Sequence, residues 1–290
     1  MTGVEPNHVC AARGARRVFT GLRLAAIGLF LLAPGHAAAG DFDALRGSFT
    51  SPFASSNYNQ WDGINFGVQI GASSMNTDFG NSTGDLVAFM LRNSTLEAQA
   101  SPSSWTVLPN DLTNSMSYGL FLGYNYQMGE IVLGLDGTYT RLNSMNAQAA
   151  DSITRIVTVD GNPNTVTIDA NSQNKLIDYA TLRARAGYAF GQFLPYAFVG
   201  GAVGRFNYAV NATVTDVVSI GGVAQPPVVF TGSSAKDNAI VGGFTLGLGM
   251  DIALLPNVFL RGEWEFVGFA QVNGIRSTIN SGKVGLGVKF

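Results

Sequence analysis

Residues 258–269 read Val-Phe-Leu-Arg-Gly-Glu-Trp-Glu-Phe-Val-Gly-Phe. Successive side chains of a strand point to opposite faces, so Val258, Leu260, Trp264 and Phe266 share one face and Arg261, Glu263 and Glu265 the other. The same division recurs elsewhere. Val284, Leu286, Val288 and Phe290 oppose Lys283 and Lys289; Leu182, Ala184, Ala186 and Tyr188 oppose Arg183 and Arg185; Ile131, Leu133, Leu135 and Tyr139 oppose Asp136 and Thr138. A soluble sandwich would also alternate, with its charged face in water and its apolar face in a core. In a membrane barrel an Arg or Lys facing lipid at the midplane costs about 2–4 kcal/mol, so the apolar face must be outward and the charged face must line the lumen. Asp62, Arg141 and Asp178 break the rule only at strand ends, where the cost is small.

Composition agrees. Of 290 residues 46% are hydrophobic and only 12% charged, about half the roughly 25% of an ordinary soluble domain. There are 36 Gly, and mean hydropathy is +0.19 without the ~18-residue apolar run that a membrane helix needs. Disorder and helical membrane folds are excluded, and an apolar content spread over alternate positions of many strands remains.

Eight strands are predicted near residues 61–72, 117–126, 131–141, 178–190, 195–208, 239–252, 257–269 and 282–290. Connections around Met128-Gly129, Gly191-Gln192 and Leu255-Pro256-Asn257 are short, whereas 73–116, 142–177, 209–238 and 270–281 read as long loops. An even strand number with short turns on one side and long loops on the other is the outer-membrane arrangement. The expected fold is therefore all-β: an eight-stranded antiparallel up-and-down transmembrane β-barrel with long extracellular loops. Residues 153–168 and 213–231 read as hairpins turning at Asp160-Gly161-Asn162-Pro163-Asn164 and Gly221-Gly222. An apolar cluster after Asp85 (Leu86, Val87, Phe89, Met90, Leu91) is expected to form a short helix packed against the loops.

Arg13, Arg16, Arg17 and Arg23 precede an apolar stretch from Leu24 to Ala33, and Ala37-Ala38-Ala39 follows. This reads as a signal peptide, residues 1–39, cleaved after Ala39. Residues 40–60 then form a periplasmic lead-in and 61–290 the barrel domain. Cleavage removes four Arg and Glu5, so 17 basic and 19 acidic residues become 13 and 18, which gives no basis for nucleic-acid binding. It also removes Cys10, His8 and His36, leaving a mature chain without cysteine or histidine.

Trp61-Asp62-Gly63-Ile64-Asn65-Phe66-Gly67, the Gly-Tyr-Asn-Tyr-Gln segment at 123–127 followed by Val132-Leu133-Gly134-Leu135-Asp136-Gly137, and Thr181-Leu182-Arg183-Ala184-Arg185-Ala186-Gly187-Tyr188 resemble the small outer-membrane surface-antigen barrels of alphaproteobacteria, the "porin family". The resemblance spans 61–290. It implies that the C-terminal strand ending on Phe290 is the signal read by the outer-membrane barrel assembly machinery. The family motifs specify fold better than activity.

Catalysis by Ser-His or His-Asp arrangements needs an imidazole that the mature chain lacks, and Glu263 and Glu265 beside Arg261 read as a lumen ion-pair network. No catalytic, cofactor or metal site is expected. Zinc and the usual haem ligands are missing, and Asp151, Asp160 and Asp169 lack the spacing of a calcium loop. Gly200-Gly201-Ala202-Val203-Gly204-Arg205 lacks the end of a phosphate loop and lies inside a strand. The lumen set is Arg183, Arg185, Arg205, Arg261, Lys283 and Lys289 against Asp136, Asp251, Glu263 and Glu265. An eight-stranded interior is just wide enough for side chains to fill, so these charges are expected to pair and plug it. The expected protein is a non-enzymatic monomer in the outer membrane of a Gram-negative bacterium, contacting lipid and lipopolysaccharide. It would serve envelope structure and, through its loops, contact an extracellular partner. A small porin-like channel is the alternative, and a loop-held hydrophobic or haem-like ligand a third reading.

Overall fold

The computed structural model describes residues 60–80 and 82–290; the proposed signal peptide and nearly all of the lead-in lie outside these. Eight antiparallel strands follow in chain order: β1 (Gly63–Asp78), β2 (Asp111–Met128), β3 (Ile131–Val159), β4 (Asn162–Tyr188), β5 (Phe193–Ile220), β6 (Val228–Leu255), β7 (Val258–Phe269) and β8 (Arg276–Lys289). Each pairs with the next, and β8 returns to β1 from Asn65↔Lys289 to Asp78↔Arg276. The sheet closes on itself, which removes the unpaired backbone edge that lipid would not tolerate.

The short connections fall where the sequence puts them, with Gly129 and Gly191 at positive φ. On the opposite side, Asp160-Gly161 and Gly221-Gly222 each place two successive residues at positive φ, the backbone of a tight hairpin turn matched to strand twist. The proposed loops 142–177 and 209–238 are thus mostly strand. β3, β4, β5 and β6 run 27–29 residues, against the 9–11 needed to cross a bilayer, so their upper halves stand outside the membrane as a four-stranded extension. One expectation fails outright. The connection 270–281 is not long: only residues 270–275 separate β7 from β8, closed by a Val272↔Ile275 bridge around Asn273 and Gly274, both at positive φ. Asn-Gly is the strongest short hairpin signal.

The register breaks between Arg141 and Met145 on β3, Leu176 and Asp178 on β4, and Phe206 and Tyr208 against Ala239 and Lys236 on β5 and β6. These bulges lie at neighbouring positions on adjacent strands and separate the membrane-spanning halves from the extension. An added residue swaps the faces of the strand beyond it: on β4 Tyr179, Thr181 and Arg183 point inward below the bulge, and Leu176, Asn174 and Ser172 above it.

The first connection, 79–110, carries α1 (Gly84–Leu91), α2 (Thr95–Ala100) and a 3-10 turn at Pro102–Ser104. The Ser94 side chain caps α2 by accepting from the Leu96 N–H at 3.0 Å. Val87, Leu91, Leu96 and Trp105 pack on Val159, Val166, Ile168, Ala212 and Val214 of the extension. The helix after Asp85 therefore covers the loops' apolar face, as expected.

Candidate functional site

Inside the barrel the side chains form three layers. Trp61, Phe121, Leu194, Phe198 and Phe259 fill the end nearest the short turns. Met75, Phe79, Leu142, Met145, Phe206, Phe269 and Ile279 belong to the apolar cluster that fills the end nearest the extension. Between them lies a single ion-pair network. Arg183 meets Glu263 at 3.0 Å, Glu265 at 3.4 Å and Asp136 at 3.5 Å; Arg185 meets Asp251 at 3.1 Å and Asp136 at 3.4 Å. Arg261 forks onto Asp251 with two 2.9 Å bonds and approaches Asp136 at 3.5 Å, and Lys283 donates to Glu265 at 2.5 Å. All eight residues are buried.

Asp136 is the hub, with three guanidinium groups within 3.5 Å. Two glycines make the room. A Cβ at Gly123 would strike the Asp136 carboxylate, and one at Gly134 would strike the Asn125 side-chain carbonyl and crowd Arg185. Neutral groups add further bonds: Tyr196 donates to Glu263 at 2.7 Å, Tyr179 to Glu265 at 3.1 Å and Thr245 to Glu265 at 3.1 Å, while the Asn125 carbonyl accepts from Arg185 at 2.7 and 3.0 Å. Guanidinium planes lie 4.1 Å over Phe198 (Arg183) and 4.1 Å over Phe121 (Arg261), a favourable placement for a desolvated cation.

Eight of the ten lumen charges named from sequence are brought together, and two are not. Arg205 faces outward: it shares the parity of exposed Val199 and Val203, while Phe198, Ala202 and Phe206 point in. It pairs with Asp178 on the neighbouring strand. Because β5 is apolar on both faces, its parity gave no contrast. Lys289 does face inward, but its ammonium donates to the Gln60 carbonyl at 2.7 Å and lies 4.4 Å over the Trp61 ring, away from the network. The corrected set is four cations and four anions, hence neutral, where ten residues gave an excess of two positive charges. Asn125, Tyr179, Tyr196 and the aromatic floor are not singled out from sequence; Tyr179 and Phe259 share the parity of charged neighbours on their strands, whereas the parity that placed Arg205 inward would turn Leu194, Tyr196 and Phe198 of β5 outward.

Outside, Leu120, Leu122, Leu135, Val199, Leu246, Leu248 and Leu286 are exposed and form the apolar band that lipid covers. Phe290 is 74% exposed on this band, stacked on Phe66 at 5.9 Å, with its N–H donating to the Ile64 carbonyl at 2.9 Å. Of the acidic residues weighed for calcium, Asp160 sits at a hairpin tip bonded to Gln99 and Asp169 accepts from Ser152.

Residues 44–290 match the family described as outer membrane protein beta-barrel domain. Among solved structures the chain is similar to Ail, the attachment invasion locus protein of Yersinia pestis (14% identity, 79% of this chain and 99% of that one, TM-score 0.29). It is also similar to Neisserial surface protein A (14%, 78% and 97%, 0.29) and to the outer membrane protein OprG of Pseudomonas aeruginosa (10%, 81% and 99%, 0.35). No curated protein matches it. With a closed eight-stranded barrel, a lipid-facing apolar band and a family match over 44–290, the chain belongs to the outer membrane protein β-barrel domain family.

Proposed function

We propose that the protein is a non-enzymatic outer-membrane barrel whose lumen is a core rather than a pathway, and whose role is envelope structure and surface interaction through its extracellular extension. The neutral network of eight buried charges, closed on both sides by apolar layers, carries this reading. A pore lined by opposed charges would hold water between them; here each guanidinium is spent on a carboxylate. The chain is a member of the alphaproteobacterial surface-antigen group, exported after cleavage at Ala39, with Phe290 serving the barrel assembly machinery and the folded protein a monomer. Its contact with other molecules is made by the extension and the capping helices, which carry exposed Phe89, Ile156 and Val223.

Recording from the refolded protein in a planar bilayer tests the reading against the channel alternative. The expected result is no stable conductance step. Reproducible single-channel steps whose ion selectivity shifts on Arg183→Glu would overturn it.

A further inference from the structure

One cross-strand row lies just below the bulges: Tyr118↔Arg141, Arg141↔Asp178 and Asp178↔Arg205 are successive register partners on β2 to β5, and on β3 to β5 the outward apolar run ends at this row. Tyr118 and Arg141 are exposed, and the Arg205 side chain is 42% exposed. Lys175, exposed on the same outer surface of β4, stands just above the bulge. Arg141 and Lys175 have no acidic partner within salt-bridge distance among the described residues, so their charge is left for something else. The intervening Asp178 does not repel an anion there. It is buried, and its oxygens are taken by the Arg205 guanidinium and the Tyr139 hydroxyl, the latter at 2.9 Å. Asp178 thereby holds Arg205 in place, with guanidinium N–H groups left over. The row is also one-sided: on β8 and β1 the outward apolar run gives way to Asn280 and Ser74, which carry no charge.

Snorkelling cations that only seek water need no such concentration on three adjacent strands. We propose that Arg141, Lys175 and Arg205 form a binding site for the phosphate of a phosphorylated lipid head group in the outer leaflet, with Tyr118 and Tyr139 against the adjoining acyl–sugar boundary. A phosphate monoester carries about −1.5 to −2 charges and several acceptor oxygens, and Arg reads such a group with a planar donor fork. The head-group layer is where the apolar band places these residues. The site rests on the outer-membrane placement of the barrel and not on the closed lumen, so bilayer conductance can fail while this inference stands.

The test is native mass spectrometry of the refolded full chain in micelles with bisphosphorylated lipid A, fully dephosphorylated lipid A, or inorganic phosphate alone. The wild-type chain should retain the bisphosphorylated lipid in preference to the dephosphorylated one. Arg141→Gln/Lys175→Gln should lower that retention about thirtyfold, as two basic residues lost near an anionic surface imply, with unchanged heat-dependent gel mobility. Lys175→Glu, at an exposed position, repeats the test should the double variant not fold, and should also lower retention. Equal retention of the two lipids by wild type, or of bisphosphorylated lipid by wild type and variant, would overturn the proposal. Saturable binding of inorganic phosphate alone, with the same dependence on Arg141 and Lys175, would assign the site to a free anion and overturn the lipid claim.

Discussion

Arg261→Met is the sharpest perturbation of the lumen. The guanidinium is almost fully buried, makes two 2.9 Å bonds to Asp251, approaches Asp136 at 3.5 Å and lies 4.1 Å over Phe121. Methionine retains most of the volume but leaves four carboxylates facing three cations in a buried site. Removing one partner of a buried pair costs about 3–5 kcal/mol, whereas replacing both can be nearly neutral. Asp251→Asn/Arg261→Met leaves three cations and three anions and keeps the Arg185 contact with Asp136, so it should recover at least half of the loss. The assay is urea unfolding in lipid vesicles followed by tryptophan fluorescence, with gel mobility as a second probe. A coupling of about 2 kcal/mol between the two positions is the expected reading, since groups in one network are non-additive. A cost below about 1 kcal/mol for Arg261→Met, or a double variant that loses the sum of the two single losses, would rule out a coupled buried network.

Leu135 and Ile156 are both exposed on the outer side of β3, at 61% and 76%, one in the apolar band and one in the extension. Leu135→Arg should cost about 2–4 kcal/mol in vesicles and Ile156→Arg no more than about 0.5 kcal/mol; equal costs would misplace the membrane boundary. Leu91→Asp puts a charge against Val87 and the apolar face of the extension, and limited proteolysis between residues 79 and 110 should accelerate at least tenfold while heat-dependent mobility of the barrel stays unchanged. Asp216 lies in the extension, where burial pushes its carboxyl above the ordinary value although the Asn164 amide donates to both oxygens at 3.0 Å. The folded form then holds this proton more tightly than the unfolded form. Its contribution to stability is therefore full below the ordinary carboxylate range and falls as pH rises through the raised value, and amide exchange near Asp216 should show that slope, flattened in Asp216→Asn.

Where one face of a strand carries charge and the other apolar bulk, the sequence alone orients every residue: Arg261, Glu263 and Glu265 on β7 and Arg183 and Arg185 on β4 are all inward. β5 offered no such contrast, with Phe198 and Val199, then Ala202 and Val203, apolar on both parities, and so Arg205 was assigned to the wrong side. Bulges are a second source of error. A single extra residue at Ile177 swaps the faces of β4 beyond it, and no local composition announces such an insertion. Strand length was the least legible quantity. The polar and small residues of 145–175, such as Asn146, Gln148, Gln173 and Asn174, read as loop, yet pairing across the hairpin continues the ladder to its turn. Side-chain propensity is weak there, and the ladder is held by the closed sheet below and the apolar cap within. The eight-charge network was legible as a set of residue types on one face, but its neutrality depended on knowing which strands meet across the lumen.

Whether side chains fill the lumen can be read at two threonines. Thr138 projects into it, buried, with its hydroxyl 2.6 Å from that of Thr181, whereas Thr154 lies exposed on the extension. In a Cys10→Ser background, Thr138→Cys and Thr154→Cys can be exposed to a water-soluble maleimide in folded, vesicle-embedded protein, and the labelled fraction read by mass spectrometry. A filled lumen gives complete labelling at position 154 and none at position 138 until the protein is unfolded; labelling at 138 in the folded barrel at a rate comparable to 154 would show an open, water-filled lumen instead.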